Sequence, residues 1–295
     1  MPLSVREAGP GFAGEASGLD LTRPLSPADV AAIHAAMDKF AVLVFHDQSL
    51  TDESQLAFTQ SLGTIEMAIG VSLRKPEEQR LPNTFADVSN LDKDGRPFAR
   101  DDRRRLYALG NQLWHSDSSF KAVPAKYSLL HGRKVALKGG NTEFADMRAA
   151  YDALDQDTKV LCEELICEHS QMFSRAKHGF VEFSAEERER MKPVLQRLVR
   201  EHPAIGRKSL YLSSHAGRIV GWPEPEAKAF LMDLTEHATQ PEFKYVHKWR
   251  DGDLVMWDNR TTMHRARPFP HTEKRDMRRT TLMGDAPTVA QQAAE

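Results

Sequence analysis

Cysteine is scarce in this sequence of 295 residues, which contains only Cys162 and Cys167. Two cysteines five positions apart cannot build a disulfide framework and match no zinc-site spacing, so we expect two reduced thiols. Long apolar runs are also absent, because no stretch approaches the roughly 18 residues of a membrane-spanning helix. The opening segment MPLSVREAGPGFAG lacks the apolar centre of a signal peptide. We therefore expect a cytoplasmic protein with no membrane partner.

The sequence also lacks an excess of positive or negative charge. The chain has 40 Lys and Arg against 42 Asp and Glu, which gives a net charge of −2. No overall electrostatic field therefore draws it to nucleic acid. The basic run RDDRRR (100–105) contains two acids and no interleaved aromatic residues, so it is interpreted as a solvated loop. With 40% hydrophobic and 28% charged residues, the composition is that of a soluble globular protein.

Local signals predict helices and a buried strand in the first part of the chain. Ser26, Pro27 and Asp29 form a helix start with an N-cap, a proline in the first turn and an acidic third residue. The apolar run AVLVF (41–45) predicts a buried strand, and a second helix is predicted from Thr51 to Leu62, before Gly63. Residues 64–110 show no periodicity, and so long an irregular stretch predicts an active-site loop or lid.

The remaining sequence is dominated by short strand-like segments separated by turn residues. These segments are KYSLLHG, NTEFADM, VLQRLVREH, RKSLYLSS, FKYVHKW, DLVMWDN and MRRTTLMG. Two helices are predicted among them, at 147–168 and 223–238. Many short strands with few helices favour an antiparallel sandwich or barrel over a parallel sheet. We predict a single domain (1–295), mainly β with flanking helices, that ends in a frayed tail at 285–295.

The stretch NQLWHSDSSF (111–120) contains the only His-x-Asp among the 12 histidines of the chain. It is compatible with a polar turn or with two ligands of a metal. If the segment is a strand, alternation places His115 and Asp117 on one face. A third ligand must come from elsewhere, and His264 is the best candidate because it follows the predicted strand and turn of GDLVMWDNR (252–260). Two histidines and one carboxylate form the facial triad that leaves open positions on ferrous iron.

Other residues could complete such a site. Arg275 and Arg279 are four positions apart, which places both on the same face of a strand. Thr142 lies 27 residues after His115 in the strand-like GGNTEFADM. Five other histidines have no ligand-like neighbours in the sequence and are interpreted as surface or structural residues: His34, His169, His202, His215 and His237.

These motifs together resemble the taurine dioxygenase/TfdA (TauD/TfdA) family of Fe(II)- and 2-oxoglutarate-dependent dioxygenases, and within it the 2,4-dichlorophenoxyacetate dioxygenase branch. The resemblance covers roughly residues 15–285. It rests on NQLWHSDSSF, GGNTEFADMRAAYDAL, GDLVMWDNR, the HR at 264–265 and RRTTL (278–282). It implies a double-stranded β-helix, or jelly-roll, core, which agrees with the strand pattern.

The resemblance also assigns roles to individual residues. It makes His115, Asp117 and His264 the iron ligands. Arg275 matches the arginine that pairs with the distal carboxylate of 2-oxoglutarate, and Thr142 matches the threonine that helps to hold it. An arginine fork suits a carboxylate, and a threonine adds a neutral donor.

The resemblance assigns the substrate-binding residues less directly. Arg279 matches the arginine near the substrate anion, Asn111 matches a substrate-side position, and Ser119 is expected close to both anions. Relatives in this branch can use a basic residue around 65–75, where this chain reads MAIGVSLRK (67–75). Val71 therefore occupies a position where a base is expected, which leaves Arg74, or Arg279 alone, for the substrate carboxylate.

The implied reaction uses Fe(II), 2-oxoglutarate and O2 to hydroxylate an aryloxyalkanoate, such as a phenoxyacetate, at its ether carbon. The products are a phenol, glyoxylate, succinate and CO2. The same chemistry on a sulfonate or an alkyl sulfate is the alternative. A non-catalytic jelly-roll protein that binds a metal or ligand is a third possibility, and the arginine and threonine for a co-substrate argue against it. The expected partner is a small anionic aromatic substrate, and we expect a homo-oligomer.

Overall fold

The computed structural model describes residues 2–68 and 79–289. The strands are β1 (Ser4–Glu7), β2 (Ala13–Ser17), β3 (Val42–Phe45), β4 (Ala86–Asp87), β5 (Tyr127–Lys134), β6 (Thr142–Asp146), β7 (Ile166–His169), β8 (Val194–Arg197), β9 (Val199–Glu201), β10 (Lys208–Leu210), β11 (Ala216–Ile219), β12 (Lys244–His247), β13 (Leu254–Asp258), β14 (Thr262–Ala266) and β15 (Asp276–Thr281). Within the described ranges, no helix is both long enough and apolar enough to cross a membrane.

The helices lie mostly outside the sheets. They are α1 (Pro27–Phe40), α2 (Asp52–Leu62), α3 (Arg103–Ala108), α4 (Met147–Asp152), α5 (Gln156–Glu164), α6 (Gln171–Ala176), α7 (Ala185–Arg190) and α8 (Glu224–Ala238). Two short 3-10 helices span Leu109–Gln112 and Pro241–Phe243.

The main sheet has seven strands in the order β1-β2-β3-β13-β5-β15-β4. Its pairs are antiparallel, except that β2 runs parallel to β3. A three-stranded antiparallel sheet, β12-β6-β14, packs against one face. Two smaller antiparallel sheets, β11-β7-β8 and β10-β9, complete the strands. This arrangement is the jelly-roll core that the resemblance implies, with flanking helices, and it is one of the antiparallel architectures that the strand pattern favours.

Alternation along the central strands separates two layers of the core. Leu43 and Met256 point toward α1 and α2, whereas Val42, Val255 and Trp257 point toward the three-stranded sheet. These side chains are at most 1% exposed. Because successive side chains of a strand alternate between faces, a strand covered on both faces must be apolar throughout, as AVLVF and LVMW are.

The predicted helix starts are confirmed. The Ser26 side chain accepts a hydrogen bond from the Asp29 main-chain N–H, and the Asp29 carboxylate accepts one from the Ser26 main-chain N–H. Thr51 caps α2 in the same way, and the helix ends at Gly63. Both helices therefore begin where their side chains satisfy main-chain donors that would otherwise lack partners.

The single helix predicted at 147–168 is wrong. The chain forms α4, breaks, and restarts as α5 because Asp155 accepts a hydrogen bond from the main-chain N–H of Thr158. The last three residues of the predicted helix, 166–168, belong instead to the strand β7, in which Cys167 and His169 are fully buried. Over so few residues, the alternating apolar pattern of a strand is hard to distinguish from the apolar pattern along one face of a helix.

The described part of 64–110 contains more structure than an irregular loop. It holds β4, which pairs with β15, together with α3 and the first 3-10 helix. These elements border the cavity described below. Movement of this region as a lid stays a prediction.

Candidate active site

His115 and His264 lie side by side in an isolated antiparallel bridge. The main-chain N–H of His115 donates to the His264 carbonyl over 3.0 Å, and the return hydrogen bond measures 2.9 Å. His264 is the third residue of β14, whereas His115 belongs to no strand. The expectation of a strand through His115 and Asp117 is therefore wrong, since one bridge followed by a turn brings the ligands together.

The turn after His115 fixes Asp117. Its main-chain N–H donates to Oδ1 of Asn259 over 3.1 Å, and the Ser116 hydroxyl donates to the Asn259 carbonyl over 2.6 Å. Ser118 adopts a left-handed conformation with φ of 54°, which reverses the chain immediately after the carboxylate. Asn259 lies in the tight turn between β13 and β14, so the position of Asp117 depends on the core sheets.

The three side chains form a buried group whose ligand atoms all lie within 4.8 Å of one another. Nε2 of His115 is 3.8 Å from Oδ1 of Asp117, and Nε2 of His264 is 3.6 Å from Oδ2. Nδ1 of His115 lies 2.8 Å from the Leu113 carbonyl, which directs its Nε2 toward the group. Among the described residues, no other set of His, Cys, Asp or Glu meets the same criterion.

Electrostatics give these groups the protonation states that a metal requires. Burial lowers the pKa of His115, and it lowers the pKa of His264 well below the ordinary value, so both imidazoles are neutral. Burial raises the pKa of Asp117, but the positive charge of Arg279, together with the hydrogen bond from Ser128, outweighs it and lowers that pKa to about 2. Two neutral nitrogen donors and one carboxylate fit a divalent transition metal such as iron.

A cavity of about 370 Å³ opens beside the triad. It is lined by polar and charged side chains from α3, α6 and β15, and by the aromatic rings of Phe98, Phe120 and Phe269. His115 and Asp117 form part of its wall. A cavity of this size, with apolar walls and a few charged groups, suits one or two small molecules.

Arg275 contributes a buried positive charge to this cavity. It is 4% exposed and its guanidinium lies over the Phe269 ring, 5.4 Å from the centroid. Among the described residues, the guanidinium has one hydrogen-bond acceptor: Nη2 donates to the Gly140 carbonyl over 3.4 Å. Burial lowers the pKa of Arg275 to about 10. An arginine that is desolvated without a carboxylate partner is suited to bind an anionic ligand.

Thr142 is the first residue of β6, beside the β14 strand that carries His264. Its Oγ1 accepts a hydrogen bond from Nε1 of Trp249 over 2.9 Å. Because the indole nitrogen can only donate, the hydroxyl hydrogen of Thr142 is still available for another acceptor. Thr142 is outside the wall of the main cavity, so its contact with a co-substrate stays a prediction.

Arg279 and Arg275 line the same cavity, as their spacing predicts. The Arg279 guanidinium pairs with Oδ1 of Asp117. The adjacent Arg278 points to the other side of β15, where it pairs with Asp52 and Asp276. Arg279 therefore stands next to the triad, and its charge is already balanced by the carboxylate of Asp117.

The other predicted substrate residues differ in their position relative to the cavity. Asn111 lines the cavity. Ser119 does not line the cavity: it is fully buried, its hydroxyl has no hydrogen-bond partner in the described part of the chain, and its neighbour Ser118 lines the cavity instead. Val71 and Arg74 lie outside the described residues.

The sequence patterns do not predict two residues of the cavity wall. His215 was interpreted as a surface or structural residue, but it is 2% exposed and its ring lies 5.9 Å from His115 and 4.9 Å from Phe120, centroid to centroid. Arg175 is 5% exposed and also faces the cavity. A signal was available for the second, since Gln171 and Arg175 are four positions apart in one helix and therefore share a face.

The chain is similar to known proteins over nearly its whole length. The family model for the taurine catabolism dioxygenase TauD, TfdA family matches residues 4–281. The alpha-ketoglutarate-dependent 2,4-dichlorophenoxyacetate dioxygenase of Burkholderia sp. (strain RASC) is 42% identical over 284 residues, which cover 96% of this chain and 95% of the relative. The (S)-phenoxypropionate/alpha-ketoglutarate-dioxygenase of Sphingobium herbicidovorans is 37% identical over 261 residues, 86% of this chain and 85% of the relative.

Solved structures give the same result. The crystal structure of AAD-2 in complex with Mn(II) and N-oxalylglycine is 57% identical, with a TM-score of 0.96 and coverage of 98% of this chain and 100% of that one. A taurine dioxygenase from Burkholderia xenovorans is 29% identical, with a TM-score of 0.77 and coverage of 97% and 91%.

Proposed function

The chain belongs to the TauD/TfdA family of 2-oxoglutarate-dependent dioxygenases, and from that premise we propose that it hydroxylates an aryloxyalkanoate at its ether carbon. One oxygen atom of O2 enters succinate as 2-oxoglutarate loses CO2, and the other enters the substrate. The hydroxylated ether carbon is a hemiacetal, which collapses to a phenol and an oxoacid. With phenoxyacetate as substrate, the oxoacid is glyoxylate.

The buried triad carries this proposal. His115, Asp117 and His264 are the residues that would hold iron(II), and their ligand atoms already converge within 4.8 Å. Bound iron supplies open coordination positions for the co-substrate and dioxygen, and hence the oxidising power. The protein contributes neutral imidazoles, an ionised carboxylate and a pocket that orients the reacting carbon.

We assign the distal carboxylate of 2-oxoglutarate to Arg275, with Thr142 as a neutral donor. The Arg275 guanidinium is desolvated, and no carboxylate among the described residues balances its charge. A dianionic co-substrate restores that balance and gains a two-pronged hydrogen bond. Excluding water from this pair strengthens the attraction.

An aromatic anion suits the cavity better than a small zwitterion such as taurine. The acids of the described wall are each engaged with a cation: Glu66 with Lys121, Asp87 with Arg80, and Asp117 with Arg279. An ammonium group would therefore find no unengaged carboxylate in the described wall. An aryl ring, by contrast, can pack on the phenylalanine side chains.

The test is paired turnover of phenoxyacetate and taurine by the iron-loaded enzyme, with and without 2-oxoglutarate. Succinate and phenol are both measured. We expect phenol in step with succinate from phenoxyacetate, little succinate from taurine, and loss of phenol in Arg279→Ala. Taurine turnover with no phenol release would assign the chain to sulfonate chemistry. Absence of succinate with every substrate would favour a non-catalytic binding protein.

We also propose that the enzyme is a cytoplasmic homo-oligomer that requires neither nucleic acid nor a membrane. The even balance of charges supports the absence of a nucleic-acid partner. Light scattering of the purified protein tests the oligomeric state, and a single-chain mass at all concentrations would contradict it.

A further inference from the structure

Arg175 is a second buried guanidinium on the cavity wall, on the short helix α6. Its guanidinium stacks over the ring of Tyr107, with Cζ 4.3 Å from the centroid, and it lies directly against Gly110. A Cβ at Gly110 would come within 2.5 Å of Nη1, so only a glycine leaves room for this placement. The side chain is therefore held by packing on two sides.

No counter-ion balances Arg175 among the described residues. Nη1 donates to the Ser174 hydroxyl over 3.0 Å, and Nη2 donates to Oδ1 of Asn111 over 3.4 Å. Both acceptors are neutral, and Nε has no hydrogen-bond partner within 2–68 and 79–289. A guanidinium that is 95% buried without a carboxylate is costly to maintain, which indicates that the site is built for an anion.

The groups around Arg175 are also incompletely satisfied. The Tyr107 hydroxyl, Oε1 of Gln171 and Nδ1 of His215 are buried, and none has a hydrogen-bond partner among the described residues. All of them belong to residues of the same wall. A main-chain hydrogen bond of 2.9 Å from Ser170 to the His215 carbonyl ties His215 to the start of α6. The subsite is therefore polar and incompletely satisfied; the Tyr107 hydroxyl can donate to an anion, whereas Oε1 of Gln171 can only accept.

Three other cations of the cavity are committed elsewhere. Arg279 pairs with Asp117, Lys121 pairs with Glu66 at 2.6 Å, and Arg275 is assigned to 2-oxoglutarate. Of the arginines buried at this cavity, Arg175 is the one with neither a carboxylate partner nor an assigned anion. Its position beside His215, which contacts the ring of His115, places it close to the triad.

We propose that Arg175 binds the carboxylate of the aryloxyalkanoate substrate and thereby determines substrate specificity. This inference rests on the proposed function. The planar fork presents its donors to the carboxylate, and the Tyr107 hydroxyl lies within the same subsite. The ether carbon then extends from this anchor toward the triad. Arg279 keeps its partner Asp117 and is not the sole anchor of the substrate anion.

The test is equilibrium binding to protein loaded with Mn(II) and N-oxalylglycine, a combination that does not turn over. Phenoxyacetate and its uncharged analogue 2-phenoxyethanol are titrated by calorimetry. Arg175→Gln should weaken phenoxyacetate binding on the order of 100-fold, because one partner of a desolvated charge pair is lost. Binding of 2-phenoxyethanol and of N-oxalylglycine should not change.

Two further variants make the result decisive. Arg175→Lys keeps the charge without the fork and should bind phenoxyacetate with intermediate affinity; it also replaces Arg175→Gln if that variant does not fold. Arg188→Gln removes an exposed arginine outside the cavity wall, whose Nη2 donates to the Val181 carbonyl, and should bind like the wild type.

Wild-type phenoxyacetate affinity in Arg175→Gln overturns the inference and leaves the proposed function standing. Equal losses for the acid and the uncharged analogue also overturn it, because they indicate a structural role. If the wild type itself binds no phenoxyacetate, the substrate class fails and this inference fails with it.

Discussion

Asn259 and Asp117 are joined twice, once directly and once through Ser128. Oδ1 of Asn259 accepts from the Asp117 main-chain N–H over 3.1 Å. Nδ2 of Asn259 donates over 3.0 Å to the Ser128 hydroxyl, which donates over 2.8 Å to Oδ2 of Asp117. Trp257 Nε1 completes the set by donating to the same Oδ1 over 3.0 Å. One amide thereby fixes both the main chain and the carboxylate of the central ligand.

We expect Asn259→Ala to weaken Mn(II) binding about 10- to 100-fold, the usual effect of losing a residue that orients a metal ligand. Titration followed by electron paramagnetic resonance measures it. Ser128→Ala should have a smaller effect in the same direction, because it removes only the indirect connection. Ser119→Ala is the control, since that buried hydroxyl has no partner. Unchanged Mn(II) affinity in Asn259→Ala would show that the turn positions Asp117 without the amide.

Arg275→Gln should raise the 2-oxoglutarate concentration needed for half-maximal succinate formation by orders of magnitude. Losing one partner of a desolvated charge pair costs about 2–5 kcal/mol. Arg278→Gln is the matched control on the opposite face of β15, where the side chain pairs with Asp52 and Asp276. If both variants show the same requirement for 2-oxoglutarate, the co-substrate is held elsewhere.

Asp258 and Arg260 form a buried ion pair at 2.7 Å, with side chains 1% and 5% exposed. Burial raises the pKa of Asp258, but Arg260 and the hydrogen bond from His202 outweigh it and lower that pKa. Asp258→Asn leaves the buried guanidinium with only the exposed Asp285, 3.5 Å away, as a counter-ion, so we expect a loss of about 3–5 kcal/mol in the free energy of unfolding. Urea denaturation measures it.

The matched control for that prediction is Asp152→Asn. Asp152 pairs with Arg207 at 2.6 Å, but the two side chains are 52% and 42% exposed. Water screens such a pair, so its loss should cost below about 1 kcal/mol. If Asp258→Asn and Asp152→Asn lose the same free energy of unfolding, burial is not the reason that the Asp258 pair stabilises the fold.

His131 makes stability depend on pH. Burial lowers its pKa from the ordinary 6.5 to about 4. As the pH falls from 6.5 to 4, the unfolded chain therefore binds a proton that the folded protein does not, and the free energy of unfolding decreases. Above pH 6.5 this contribution is fully present, because the imidazole is neutral in both states.

His131→Gln should therefore lose less stability than the wild type between pH 6.5 and 4, by on the order of 1–3 kcal/mol. Urea denaturation at a series of pH values measures the difference. His178, which is exposed, provides the control as His178→Gln. A slope in His131→Gln that matches the wild type would assign the pH dependence to other groups.

The sequence by itself determined the local features of the protein. Ser26 with Asp29 and Thr51 with Gly63 mark helix ends because capping depends on residues only a few positions apart. The antiparallel β class follows from many short strand patterns, since the burial of each strand shows in its own sequence, and the resemblance to a known family narrows that class to a jelly roll. The candidate ligands and Arg275 were recognisable because their types and spacing match a known family.

Tertiary structure decided what depends on residues distant in sequence. The bridge between His115 and His264 joins segments about 150 positions apart, and no local pattern predicts such pairing. The strand β7, which replaces the end of the helix predicted at 147–168, pairs with β8 and β11 and so also depends on residues distant in sequence. The role proposed for Arg175 rests on its burial against Gly110, and the burial of a charge is a property of the folded surroundings, which the residue type alone does not reveal.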